Sequence, residues 1–230
     1  MKNIFMILII LVSFTGVIAK TNVGINGSFY MPKGLSSNVK VPVIIVEKGL
    51  ANSNFSRFAI EIQKNNKVIV IEVNIRALNA VQAKEKVMNA LNECNSIQKI
   101  NECPWFWMGF SAMADTTFNA LLLDSKDFQG LISINGPISL TKIPKGLQKE
   151  NFVPILLING TSDPVFSIKR AKKLAQDLKK LKLSVTFKEI KTSNHMKPIT
   201  SGIPAILKFI KSNGKKIKKR ELKKIEKLKK

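Results

Sequence analysis

From residue 41 onward, short unbroken apolar runs alternate with longer stretches in which apolar residues recur every three or four positions. VPVIIV (41–46), KVIVIEV (67–73), WFWMGF (105–110), GLISIN (130–135) and FVPILLING (152–160) are the unbroken runs, rich in β-branched and aromatic residues, as strands buried on both faces are. LSVTFKEI (183–190) alternates, which suits a strand with one wetter face. Upstream, GSFYMPKG (27–34) reads as a short opening strand or hairpin ending in a turn. Helical periodicity occupies 56–66, 77–93, 112–123, 167–181 and 198–212. Strand and helix thus alternate about six times with short connections, which predicts an α/β fold with a mostly parallel sheet flanked by helices on both faces. Right-handed crossovers bring the strand C-terminal ends to one edge, and open sheets of this kind bind ligands there.

The first residues break this pattern. MKNIFMILIILVSFTGVIAK has a basic Lys2, an apolar stretch from Ile4 to Val12 and a Val17-x-Ala19 site, the layout of a signal peptide (1–19) cleaved after Ala19. The apolar stretch is shorter than the roughly 18 residues a membrane span needs. Export to a periplasmic or secreted location is expected, with a domain over 20–212 and a basic tail over 213–230. The 230 residues are 45% hydrophobic, enough for one sizeable core. Outside the cytosol Cys94 and Cys103 favour a disulfide, worth about 2.5–3 kcal/mol in the chain-entropy account. The alternative is two separate small core residues.

Net charge is +23, and the tail KSNGKKIKKRELKKIEKLKK contributes much of it. Its apolar residues form only a partial helical stripe, so attraction to an anionic membrane surface fits it better than insertion. The tail lacks interleaved aromatics and the chain lacks a recognition motif, which disfavours nucleic acid. One histidine and two cysteines offer no cluster of metal-ligand spacing, and no cofactor is implied.

Three polar residues follow predicted strands. Ser111 stands in GFSAM, a strand-to-helix turn of the kind that lifts a serine above a sheet edge. Asp163 follows an apolar strand in PILLINGTSDPVF, and His195, the only histidine, stands in KTSNHMKP. A serine hydroxyl attacks a carbonyl only when a base takes its proton; imidazole serves near neutral pH, and a carboxylate orients it. Ser, Asp and His arrive in that order at one predicted edge, which makes them a candidate catalytic set. Asp163 suits the orienting role better than Asp115, Asp124, Asp127 or Asp177, which fall in or beside predicted helices.

With these motifs in place, the chain resembles the α/β-hydrolases, and among them compact lidless esterases, acyl thioesterases and dienelactone hydrolase-like enzymes. The resemblance implies a serine hydrolase that cleaves esters or thioesters through an acyl-enzyme on Ser111. It further implies an oxyanion hole built from the backbone N–H groups of Ala112 and Leu50. Two positions depart from the family pattern: Lys48-Gly49 replaces the usual His-Gly, and Met113 replaces a small residue after the serine. Fewer than 20 residues, NGPISLTKIPKGLQKE, separate two strands where a lid would be inserted, so an open site for small or surface-displayed acyl groups is expected. A non-catalytic member of the same fold, binding anionic membranes or other polyanions through its basic surface and tail, is the alternative.

Overall fold

Unbroken apolar runs become strands because each is covered twice, once on either face of the sheet. The computed structural model describes residues 18–23, 27–36, 39–47, 52–64, 66–145, 147 and 152–214. Residues 1–17 of the expected leader and 215–230 of the expected tail lie outside them. Eight strands are present: β1 (Ile18–Val23), β2 (Gly27–Pro32), β3 (Val43–Glu47), β4 (Ile69–Val73), β5 (Trp105–Phe110), β6 (Phe128–Ile134), β7 (Ile155–Gly160) and β8 (Val185–Ile190). They form one sheet in the order β1-β2-β4-β3-β5-β6-β7-β8. β2 runs antiparallel to both its neighbours, and β3 to β8 are parallel. The chain steps from β3 outward to β4 and then back across to β5, so the order reverses between β3 and β5, the kind of switch point at which open sheets bind ligands.

Helices α1 (Asn52–Gln63), α2 (Ala80–Ile97), α3 (Met113–Leu123), α4 (Ile168–Lys180), α5 (Lys197–Ser201) and α6 (Ile203–Gly214) cover the two faces. Alternate strand residues part between them. Val43, Ile45 and Trp107 pack with Val87, Phe118 and Leu178 of α2, α3 and α4. Ile44, Phe106 and Ile158 pack with Phe58 of α1 and Ile206 and Phe209 of α6. Strand starts are trimmed by proline: Pro42, Pro104 and Pro154 lack an N–H, but their carbonyls accept from Ile69, Val43 and Leu131. Hence the runs 41–46 and 152–160 begin as strands only at Val43 and Ile155.

The pattern of apolar residues missed two features. β1 lies across the expected leader boundary, where IAKTNV has no clear strand signal, and pairs with β2 from Ile18↔Pro32 to Val23↔Gly27. The predicted helix over 198–212 is two helices, because Gly202 closes α5 through its N–H to the Pro198 carbonyl (3.0 Å) and Pro204 cannot donate an N–H to continue it. The expected Cys94–Cys103 bridge is also corrected: both are free, buried thiols. Burial pushes the Cys94 thiol up to about 12 and raises Cys103, so both serve as small core residues.

Candidate active site

The turn after β5 puts Ser111 in a left-handed conformation, with φ +52°. That strain persists because the surroundings over-determine it. Ser111 N–H donates to the Ile134 carbonyl at the end of β6 (2.9 Å), and the Ala114 N–H closes on the Ser111 carbonyl (3.0 Å). Two glycines make the close approach possible. A Cβ on Gly109 would lie 2.7 Å from Ala114 Cα, and one on Gly136 would lie 2.3 Å from the Ser111 carbonyl oxygen. Met113, the departure from the family pattern, is the first residue of α3 and packs half-buried against the core under α2 and α3. The tight contacts of this elbow therefore fall on Gly109 and Gly136 and leave room for a methionine.

Ser111, His195 and Asp163 meet at the sheet edge. His195 Nε2 lies 3.1 Å from Ser111 Oγ, and His195 Nδ1 lies 2.6 Å from Asp163 Oδ2. The other Asp163 oxygen accepts the N–H groups of Val165 (2.8 Å) and Phe166 (2.7 Å), and the carboxylate is fully buried. With both oxygens held, Asp163 presents a fixed acceptor to Nδ1–H, which leaves Nε2 as the acceptor for the serine proton. The Phe110 ring sits 4.8 Å from the imidazole, centroid to centroid, and walls one side of it. Competing aspartates are engaged elsewhere. Asp115 accepts from Ser139 N–H (2.6 Å) and Asn119 Nδ2 (2.9 Å), Asp124 pairs with Lys84 and Lys126, and Asp177 pairs with Lys173 and Lys180.

Ala112 caps the N-terminus of α3, and among the described residues nothing accepts from its N–H. The start of α3 and the positive end of its dipole thus directly follow Ser111 in the chain. The second implied donor, Leu50, falls with Lys48 and Gly49 outside the described residues. Among the described residues, no three His, Cys, Asp or Glu side chains group to hold a metal ion, and no helix is long and apolar enough to cross a membrane.

Two residues at strand ends were not singled out in the sequence. Asn135, directly after β6, has φ +47° and hydrogen-bonds to both flanking loops; its INGP context, a polar pair after an apolar run, marks a turn and nothing more. Glu47, the last residue of β3, is 8% exposed. Burial pushes its carboxyl up to about 7, against the opposing pull of Arg76.

Three solved structures similar to this one are distant in sequence. Dienelactone hydrolase from Anabaena variabilis matches with a TM-score of 0.61 at 14% identity, over 85% of this chain and 96% of that one. Est1E from Butyrivibrio proteoclasticus matches with a TM-score of 0.57 at 11% identity, over 85% and 99%. An alpha-beta serine hydrolase homologue from Coxiella burnetii gives 0.57 at 16% identity, over 85% and 99%. At such identities the likeness establishes the α/β-hydrolase fold. No curated protein matches the chain. The sequence model of the secretory lipases matches residues 76–218, a stretch that includes Ser111, Asp163 and His195. The chain therefore belongs to the secretory lipase family and to the α/β-hydrolase superfamily.

Proposed function

We propose that the protein is an exported serine esterase or thioesterase acting on small or surface-displayed acyl groups. The observation that carries this reading is the continuous relay from Ser111 Oγ through His195 to the buried Asp163 carboxylate, at 3.1 and 2.6 Å. In the reaction, Ser111 Oγ bonds to the acyl carbon as its proton passes to His195 Nε2. The carbonyl oxygen gains the charge and takes a hydrogen bond from Ala112 N–H. Collapse breaks the ester or thioester bond, and His195 protonates the departing alcohol or thiol. Water then attacks the acyl-enzyme with His195 as base and releases the acid and free Ser111.

An open site accords with the short segment between β6 and β7, in which the described residues form only a 3-10 turn, Leu140–Lys142. Export accords with the leader 1–19 and with the secretory description of the family. The test is turnover of a short-chain p-nitrophenyl ester by the mature chain. Activity should fall to background in Ser111→Ala, and an unchanged rate in that variant would eliminate the reading.

One feature favours a second role, docking on anionic membranes. Residues 167–191 hold nine Lys or Arg against two acids, whereas 27–151 hold 14 against ten. Lys169, Lys172, Lys173 and Lys180 form an exposed stripe along α4, in addition to the basic tail 213–230. Deletion of 213–230 should weaken binding to vesicles containing anionic lipid and leave ester turnover intact. Equal binding by both forms would reject docking through the tail.

A further inference from the structure

The three residues of the relay come from the ends of β5, β7 and β8, yet the end of β6, which supplies none of them, touches all three segments. Ile134 accepts the Ser111 N–H, and Gly136 lies against the Ser111 carbonyl. Between them stands Asn135, 1% exposed, whose backbone N–H donates to Ile158 of β7 (2.9 Å). Its Oδ1 accepts from Gly160 N–H (2.8 Å), the residue from which the Asp163 loop departs. Its Nδ2 donates to the carbonyl of His195 itself (2.6 Å).

We infer that Asn135 is a positioning residue for catalysis, acting through His195, and this rests on the serine hydrolase reading above. The position makes three demands on a side chain. It must tolerate a left-handed backbone, which favours Asn, Asp or Gly. One side must accept a hydrogen bond from Gly160 N–H, and the other must donate one to the His195 carbonyl. Of Asn, Asp and Gly, only asparagine does both. Aspartate keeps the first bond but turns a carboxylate towards a carbonyl oxygen; glycine keeps the backbone and loses both bonds.

The remaining anchors of the histidine loop reach His195 only indirectly. Asn194 Oδ1 accepts from Met196 and Lys197 N–H, and Thr192 is tied to Ser162 N–H, but among the described residues the Asn135 amide makes the one hydrogen bond to the His195 main chain. The imidazole must stay in line with both Asp163 and Ser111, and the amide bond fixes the backbone from which it swings. Misplacement of a catalytic group by about 1 Å costs about 100-fold in rate.

The experiment compares the mature chain with Asn135→Asp on a short-chain p-nitrophenyl ester, with thermal unfolding as a check on folding. Asn135→Gly replaces it should the aspartate variant fail to fold. A folded variant should lose about 10- to 100-fold in kcat with KM within about threefold of the parent. In a His195→Ala background the same substitution should produce no further loss in the rate at which a fluorophosphonate labels Ser111, because the group it positions is already gone. A kcat within about twofold of the parent, or an equal fold-loss in the His195→Ala background, would overturn the inference. Absence of Ser111-dependent turnover in the parent would instead remove the esterase reading and this one with it.

Discussion

At the scale of single residues, the site is a set of buried groups whose partners fix what each can do. Asp163 has every oxygen occupied, two contacts from backbone N–H groups and one from His195. Asp163→Asn would leave the imidazole in the wrong tautomer, and kcat should fall about 10,000-fold with the fold intact, as read by ester turnover beside thermal unfolding. Glu47 makes a different prediction. Burial raises its carboxyl from 4.5 to about 7, so the folded chain binds this proton more tightly than the unfolded one. Stability contributed by the neutral form is present below the unfolded value and is lost as pH rises towards 7. Urea unfolding of Glu47→Gln should match the parent near pH 4 and exceed it by up to about 3 kcal/mol at pH 8. Identical pH profiles would contradict the assignment. The convergence of Ser111, Asp163 and His195 was legible in the sequence because each follows a predicted strand, in the order Ser, Asp, His, and the histidine is the only one. Asn135 and Glu47 were not, since their roles come from what faces them across the sheet edge, and a strand-end asparagine or glutamate looks the same in any turn.

At the scale of elements, alternation of apolar runs with helical periods identified β3 to β7 and most helices, because strands buried twice have no polar face to confuse the pattern, while β8 showed as an alternating run. Ends were less legible where proline truncated a strand or divided α5 from α6, since the ladder depends on single N–H groups. The nucleophile elbow belongs to this scale too. The family pattern puts a small residue where this chain has Met113, which places the close contact of the turn at that position. The structure assigns that contact to Gly109, before the serine, and to Gly136, from a different strand. Gly136→Ala would force a methyl carbon against the Ser111 carbonyl, costing about 1–3 kcal/mol, while Met113→Gly would remove core contacts without relieving any clash. Thermal unfolding and ester turnover should therefore both fall in Gly136→Ala, and Met113→Gly should lose stability without gaining activity. A more active Met113→Gly would show that the methionine does obstruct the elbow.

At the scale of the whole molecule, the strand order places Ser111 beside the switch point between β3 and β5, and the parallel ends of β7 and β8 bring Asp163 and His195 to the same edge. A fold of this kind was expected from the sequence, and the family match agrees with it. Charge is distributed unevenly around it: 167–191 is strongly basic while 27–151 is nearly balanced. Everything in the account depends on whether Ser111 is an activated nucleophile, and one measurement addresses that most directly. The mature chain is treated with a fluorophosphonate probe and the modified peptide is identified by mass spectrometry. The account predicts a single covalent adduct on Ser111, absent in Ser111→Ala and much slower to form in His195→Ala. No adduct, or one formed at the same rate without His195, would contradict it.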